Sequence, residues 1–149
     1  MSPPTLSVVI PAFNEAQRLP RTIDRVTAFL EQSSKSYEIV VVDDGSSDGT
    51  DRLLTVGSTL RLLRNETNRG KGYSVRRGML EARGERRLMT DADLSTPIEE
   101  LPRLMALLDH GYDIAIGSRA LPGASIEIRQ SRFRESTGAA QQGWCNCGT

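Results

Sequence analysis

The sequence predicts an α/β domain built on a mostly parallel sheet sandwiched by helices. Short β-branched or apolar runs alternate with segments in which apolar residues recur at helical spacing. Residues 37–42 are apolar almost throughout, which is typical of a strand covered on both faces. Polar, turn-forming segments follow these runs, at the edge where open α/β sheets bind their ligands.

Five strands and four helical segments are expected along the chain. The strands are placed at residues 6–11, 37–42, 60–63, 87–90 and 112–116. The first run is β-branched and stops at Pro11. Helices are expected from residue 14 or 15 to about 32, through residue 54 as a short helix capped by Ser47 or Asp48, from 68 to about 83, and over 98–108. Helical crossovers between the strands imply right-handed parallel connections.

Length and composition narrow the class of protein. A chain of 149 residues with 38% hydrophobic and 26% charged residues indicates one ordinary globular domain. The sequence shows neither a signal peptide nor an apolar run long enough to span a bilayer, and its formal net charge of zero does not indicate a nucleic-acid partner. The only cysteines, Cys145 and Cys147, are too close for an easy disulfide, so we expect a reducing, cytoplasmic location.

Two aspartates mark the end of the fourth expected strand. Asp91 and Asp93 follow the apolar run in an Asp-x-Asp spacing, just before a Ser-Thr-Pro helix start. Two carboxylates held so close repel each other unless a cation shares them, and Mg²⁺ or Mn²⁺ bridging to a diphosphate is a common solution. Acidic pairs at strand ends also serve merely as helix caps, so this pair alone does not indicate a metal site. The residues at the other strand ends decide between the two interpretations.

The first two strands end in residues suited to a nucleoside. Pro11 and Ala12 leave backbone groups free to meet a flat base, and Glu15 can accept from a sugar hydroxyl. Asp43 and Asp44 lie where an acceptor is needed to read a base N–H or a ribose hydroxyl. A strand stop followed by a helix cap is the alternative interpretation of the segment after Pro11.

The later strand ends add positive charge. Gly70 and Lys71, followed by Gly72, open a helix with exposed N–H groups and a cation suited to an anion. The segment is not a Walker A loop, because Gly72 replaces the Ser or Thr that would bind Mg²⁺. Arg119 follows the fifth expected strand and is delivered to the same edge.

Together these segments resemble glycosyltransferase family 2, the inverting enzymes of GT-A (Rossmann-like) fold. The similar stretches are residues 8–15, 41–50, 68–72, 91–93 and 117–119, which occur in the family's order within residues 5–138. Residues 91–97 and 129–132 look like the polyprenyl-phosphate branch, nearest to dolichyl-phosphate β-glucosyltransferases. The mannosyl relatives are similar as well, so the sugar is less firmly indicated than the reaction.

The resemblance implies a role for each matching residue. The nucleoside would be held by Pro11, Ala12, Glu15, Asp43 and Asp44, with Gly70 and Lys71 lining the pocket near the ribose and phosphates. Asp91 and Ala92 would contact the donor ribose and sugar, and Asp93, together with Asp91, would bind Mg²⁺ or Mn²⁺. Arg119, Arg132 and Ser136 match positions that grip the acceptor phosphate, and Asp91, Asp93 and Arg119 are the expected catalytic residues.

The implied reaction transfers a sugar, most readily glucose from UDP-glucose, to a polyprenyl or dolichyl phosphate with inversion at the anomeric carbon. The lipid acceptor implies peripheral contact with the cytosolic face of a membrane. Residues 1–138 are expected to form the glycosyltransferase domain, whereas residues 139–149 do not match the family and indicate a truncation. GDP-mannose as the donor, a polysaccharide or small-molecule acceptor, and an inactive nucleotide-sugar-binding fragment remain alternatives.

Overall fold

The structure, a computed structural model, describes residues 2–33 and 35–117. Its compact unit spans Met1–Ala115, and a second unit begins at Ile116. The main elements are β1 (Leu6–Ala12), α1 (Leu19–Glu31), β2 (Tyr37–Asp43), β3 (Leu60–Arg64), α2 (Lys71–Glu81), β4 (Arg86–Met89) and α3 (Leu101–Asp109). Two short 3-10 helices, Thr50–Leu53 and Ile98–Glu100, precede β3 and α3.

The strands of the described residues form one parallel sheet in the order β3-β2-β1-β4. In its register Ala12 lies beside Asp43, and Asp43 lies beside Arg64 on the next strand. Because all the strands run the same way, the segments that follow β1, β2, β3 and β4 emerge at one edge. This confirms the mostly parallel sheet and places every predicted donor-site segment at its carboxyl edge.

Helices cover the sheet on both faces, and alternate strand residues supply the two cores. Val8, Ile10, Ile39 and Val41 belong to one buried cluster with Leu19, Ile23, Val26 and Leu30 of α1. Val9, Val40 and Val42 point to the other face, where Met79 of α2 packs against them. A Cβ at Gly78 would collide with the side chains of Val9 and Val42, so this glycine lets α2 lie close to the sheet.

The predicted fifth strand, residues 112–116, is wrong for this structure. No strand is assigned there, and Tyr112, Ile114 and Ile116 have exposed fractions of 63%, 76% and 77%. Alternating apolar residues show which face a strand would bury, but a strand also needs a hydrogen-bonded neighbour. Within residues 2–33 and 35–117, β4 pairs with β1 alone and no strand lies on its other side.

The helix boundaries differ from the expected ones where loops make long-range contacts. The first helix begins at Leu19 instead of residue 14 or 15, because Asn14 has a left-handed φ of 54° and residues 14–16 bond to the loop after β2. The short second helix is a 3-10 turn whose N-cap is Gly49, so neither Ser47 nor Asp48 occupies the predicted cap position. Asp48 lies one residue earlier and still accepts from the backbone N–H of Thr50 at 3.0 Å. No helix among the described residues is long and apolar enough to cross a membrane.

A buried polar network joins the strands near their amino ends. Glu38 on β2 is 4% exposed, and its carboxylate accepts from the Ser7 hydroxyl (2.6 Å), the Arg83 backbone N–H (2.6 Å) and the Arg61 guanidinium (3.0 Å). The backbone N–H of Gly84 donates in turn to Ser7 Oγ at 2.8 Å. Burial alone would raise the pKa of Glu38, but these hydrogen bonds and the charge of Arg61 together lower it below its ordinary value.

Candidate functional site

The loops after β1 and β2 are hydrogen-bonded to each other at the carboxyl edge of the sheet. Four bonds connect them: Asn14 N to Ser46 Oγ (2.9 Å), Ser47 N to Asn14 Oδ1 (3.0 Å), Glu15 N to Thr50 Oγ1 (3.0 Å) and Ala16 N to Asp48 Oδ2 (3.0 Å). Asparagine tolerates the left-handed conformation of Asn14 better than most residues do. The two loops are therefore fixed relative to each other before any ligand arrives.

Glu15 lies at this edge, beside the buried end of β1, and its carboxylate pairs with Arg18. Pro11 and Ala12 are buried, and the carbonyl of Ala12 accepts from the N–H of Asp44 at 2.8 Å. Glu15 Oε2 is buried and accepts no hydrogen bond, although Arg18 Nε lies 2.8 Å away at ion-pair distance. The other oxygen, Oε1, accepts from Arg18 Nη2 at 3.4 Å, so Arg18 contacts both carboxylate oxygens and a ligand contact from Glu15 stays a prediction. Any contact from Pro11 would come from its carbonyl or ring.

Asp43 is fully buried and holds its own loop. Its Oδ1 accepts from the N–H of Ser46 at 3.2 Å. Its Oδ2 accepts no hydrogen bond and lies 3.5 Å from Arg64 Nε, an arginine that also forms an ion pair with Asp51. The side chain lies behind the ligand-facing edge, so in this structure Asp43 supports the loop after β2.

Asp44 connects the loop after β2 to the start of α2. Its Oδ1 accepts from Asn65 Nδ2 (2.6 Å) and the Arg69 N–H (3.0 Å), and its Oδ2 accepts from the Gly70 N–H (2.8 Å). Burial alone would raise the pKa of Asp44, but hydrogen bonds from Asn65, Arg69, Gly70 and Ser74 lower it below its ordinary value. Asp44 is therefore an ionised carboxylate that fixes the backbone next to Lys71.

Asn65 and Ser74 support Asp44, although the sequence motifs did not single them out. The Asn65 amide donates to both Asp44 Oδ1 and Ser74 Oγ, and its carbonyl oxygen accepts from Arg77 Nη1 at 2.6 Å. Both residues are buried, Asn65 at 3% and Ser74 at 0% exposure. Asn65 is the polar residue that directly follows β3, the position that Asp44 holds after β2, and no comparable signal marks Ser74.

Lys71 and Asp91 form an ion pair between the start of α2 and the segment after β4. Lys71 Nζ lies 2.5 Å from Asp91 Oδ1, and both side chains are partly exposed. Asp93 is bound locally instead, with its Oδ1 accepting from the N–H (2.9 Å) and hydroxyl (2.7 Å) of Ser95. Partial burial alone would raise the pKa of Asp93, but the bonds from Ser95 and the charge of Arg18 lower it below its ordinary value.

The carboxylate oxygens of Asp91 and Asp93 fit a divalent cation whose remaining ligands come from substrate phosphates and waters. The contacts that the structure gives these residues use Oδ1 of each, and a carboxylate has a second oxygen to offer. Mg²⁺ is usually held by one or two carboxylates plus substrate phosphates and waters. Among residues 2–33 and 35–117 no group of three or more His, Cys, Asp or Glu is placed to hold a metal ion by itself.

The structure brings the predicted donor residues together but does not reach the acceptor residues. Pro11, Ala12, Glu15, Asp43, Asp44, Gly70, Lys71, Asp91, Ala92 and Asp93 all lie at or just behind the carboxyl edge of the sheet. Arg119, Arg132 and Ser136 lie outside the described residues, as do the predicted boundary at residue 138 and the 139–149 segment. Their roles remain predictions.

The sequence is similar to enzymes that transfer sugars to lipid phosphates. It is 41% identical over 145 residues to a dolichyl-phosphate beta-glucosyltransferase of Dictyostelium discoideum, covering 87% of this chain and 44% of that protein. An undecaprenyl-phosphate 4-deoxy-4-formamido-L-arabinose transferase of Yersinia pestis is 39% identical over 121 residues, with 77% and 37% covered. The chain thus spans less than half the length of these relatives.

Solved structures with the same fold carry nucleotides and Mn²⁺. A glucosyl-3-phosphoglycerate synthase of Mycobacterium tuberculosis, in complex with Mn²⁺, UDP and glucosyl-3-phosphoglycerate, has a TM-score of 0.56 at 28% identity, covering 70% of this chain and 39% of that one. A mannosyltransferase of Pyrobaculum calidifontis in complex with GDP-Man and Mn²⁺ gives 0.52 at 27%, with 67% and 30% covered. These likenesses confirm the GT-A fold. The family model for glycosyl transferase family 2 matches residues 7–142, and the chain therefore belongs to that family.

Proposed function

We propose that this chain forms the donor-binding half of an inverting glycosyltransferase that moves glucose from UDP-glucose to a polyprenyl or dolichyl phosphate. The observation that carries the proposal is a continuous series of contacts along the carboxyl edge. Asp44 binds the N–H of Gly70, and the adjacent Lys71 pairs with Asp91. The residues proposed for the nucleoside therefore adjoin those proposed for the phosphates and sugar.

The proposed reaction is an in-line attack of a lipid-phosphate oxygen on the anomeric carbon, which inverts that carbon and releases the nucleoside diphosphate. Negative charge develops on the departing diphosphate, and a divalent cation bound by Asp91 and Asp93 would supply Lewis-acid stabilisation there. Lys71 adds a fixed positive charge at the same edge, in addition to the N–H groups at the start of α2. The acceptor phosphate is already anionic at neutral pH, so a strong general base is less necessary.

The acceptor and the location are proposed from the relatives. Dolichyl-phosphate and undecaprenyl-phosphate transferases at 39–44% identity support a polyprenyl-phosphate acceptor for this chain as well. An acceptor of that kind resides in a membrane, so we propose peripheral contact with its cytosolic face. Arg119, Arg132 and Ser136 are proposed to hold the acceptor phosphate.

Calorimetric titration of the 149-residue chain with UDP-glucose and GDP-mannose tests the donor proposal. We expect UDP-glucose to bind with Mn²⁺ present, and to bind at least about tenfold more weakly without it, since the metal joins the diphosphate to Asp91 and Asp93. GDP-mannose should bind more weakly than UDP-glucose. Selective binding of GDP-mannose would contradict the glucosyl assignment, and binding of neither nucleotide would contradict a donor site in this chain.

Replacing Arg132 by alanine tests the acceptor proposal. We expect a loss of about tenfold or more in the use of a polyprenyl phosphate, because a charge-assisted contact to phosphate is removed, with UDP affinity unchanged. Arg103→Ala is the matched control, since Arg103 on α3 is an exposed arginine whose ion-pair partner among the described residues is Glu100. If Arg132→Ala lowers UDP affinity and acceptor use equally, Arg132 does not belong to the acceptor site.

A further inference from the structure

The 91–94 turn (Asp91, Ala92, Asp93 and Leu94) carries both proposed metal-binding carboxylates on an unusual backbone. Leu94 adopts φ of 48°, in the left-handed region that a leucine side chain disfavours. Its N–H donates to the carbonyl of Asp91 at 3.0 Å, which closes the turn, and its side chain packs against the main core. A conformation that is locally disfavoured persists only where tertiary contacts hold it.

One such contact comes from α1. The hydroxyl of Thr22 donates to the carbonyl oxygen of Ala92 at 2.5 Å, across 70 residues of sequence. Thr22 is 6% exposed and Ala92 is 5% exposed, so water has little access to this bond. Because a buried carbonyl without a donor is costly, the hydroxyl fixes the peptide that lies between the two carboxylates.

The same helix is attached to the nucleoside side of the site. The N–H of Leu19, the first residue of α1, donates to the carbonyl of Glu15 at 2.9 Å, and Arg18 pairs with the Glu15 carboxylate. Glu15 is in turn bonded through its N–H to Thr50 in the loop after β2. The first turns of α1 therefore contact both the loops proposed for the nucleoside and the 91–94 turn.

We infer that Thr22 is a positioning residue that fixes Asp91 and Asp93 for divalent-metal binding, an inference that rests on the proposed function. Without the hydroxyl, the Ala92 peptide loses the donor that holds it inward and the turn relaxes toward an ordinary backbone conformation. The carboxylates of Asp91 and Asp93 then no longer point toward one shared cation, and the affinity for the metal falls. The loops after β1 and β2 keep their own hydrogen bonds, so metal-free UDP binding stays the same.

The test compares Thr22→Val, Thr22→Ser and Thr27→Val in the 149-residue chain. Valine keeps the shape of threonine without the hydroxyl, serine keeps the hydroxyl, and Thr27 lies on another face of α1, five residues farther along. Two readouts are used: Mn²⁺ affinity with UDP present, and hydrogen exchange of the Leu94 amide without metal. We expect Thr22→Val to weaken Mn²⁺ binding and to accelerate Leu94 exchange, each by roughly tenfold, the size expected for a buried carbonyl that loses its donor.

Thr22→Ser is expected to restore both readouts to within about threefold of wild type, and Thr27→Val to leave them unchanged. Unchanged Mn²⁺ affinity and unchanged Leu94 exchange in Thr22→Val would overturn the inference, as would an equal loss in Thr22→Ser. Failure of the wild-type chain to bind Mn²⁺ with UDP would count against the proposed function instead. The two failures are distinguishable because Leu94 exchange reports on the turn without any metal.

Discussion

Asp93→Ala is expected to abolish the metal dependence of donor binding while leaving the fold intact. Loss of a partner that only orients a metal ligand already costs 10–100-fold in affinity, so removal of a ligand should lower Mn²⁺ affinity by about 100-fold or more. The fold should survive because the Asp93 side chain is exposed and its carboxylate is bonded to nearby Ser95. Mn²⁺ titration with UDP present and the melting temperature are the two measurements.

Two further variants isolate the cause of this loss. Asp93→Asn keeps an oxygen for the bonds from Ser95 and removes only the negative charge, so we expect nearly the same loss of Mn²⁺ affinity. Asp24→Ala removes an exposed carboxylate of α1 and should change nothing. Unaltered Mn²⁺ dependence in Asp93→Ala would exclude Asp93 as a metal ligand, and wild-type affinity in Asp93→Asn would assign it a purely structural role.

The local sequence pattern predicted all four observed strands, but it also predicted a fifth strand that the structure does not contain at residues 112–116. The expected ranges 6–11, 37–42 and 60–63 each end one residue before the observed strand does. The first two contain β-branched runs, which favour strands, whereas residues 60–63 are Leu-Arg-Leu-Leu and contain no β-branched residue. Apolar residues alternate along 112–116, as they do in many strands, but strand formation also requires a paired neighbour that a local pattern does not reveal.

Parallel topology also made much of the candidate site predictable. Once Asp44, Gly70 and Asp91 are placed after parallel strands, their meeting at one edge follows from the connectivity. The supporting residues were harder to find, since Thr22 contacts a carbonyl 70 positions away and Asn65 contacts an aspartate 21 positions away. Such contacts depend on how α1 and α2 pack, which no single motif encodes.

Asp44 shows how a predicted ligand residue acquires a second role. From the sequence, Asp44 is expected to accept from a base N–H or a ribose hydroxyl, and that role stays a prediction. The structure gives its carboxylate three donors from Asn65, Arg69 and Gly70, which together determine where α2 begins. Asp44 also binds the backbone next to Lys71, and Lys71 pairs with Asp91. A nucleoside that binds Asp44 would therefore contact the residue that positions this ion pair.

The buried network around Glu38 is expected to dominate the effect of single substitutions on stability. Glu38→Ala should lower the free energy of unfolding by about 3 kcal/mol, because it leaves Arg61 without its buried partner and removes the acceptor of Ser7 and Arg83. This is a large share of the 5–15 kcal/mol typical of a whole domain. Urea denaturation at neutral pH measures it.

Glu81→Ala is the matched control, because Glu81 is the second carboxylate beside the same arginine. It lies 3.8 Å from Arg61 Nη2 and its side chain is 52% exposed, compared with 5% for Glu38. Exposed pairs contribute little, so we expect a loss below about 1 kcal/mol. Equal losses in the two variants would show that burial of Glu38 does not amplify its ion pair.

The stability contributed by Glu38 should also disappear in acid. Hydrogen bonds and Arg61 hold the pKa of folded Glu38 below its ordinary value of 4.5, so the folded protein binds this proton more weakly than the unfolded chain does. The ionised form therefore stabilises the fold fully above the ordinary pKa, and the stabilisation is lost as the pH falls through the lower, folded pKa. The difference in unfolding free energy between wild type and Glu38→Ala should therefore shrink as the pH falls through that range. A difference that does not change with pH would mean that packing, not charge, accounts for the loss. Asp44 titrates in the same direction but is present in both proteins, so its contribution cancels in the comparison.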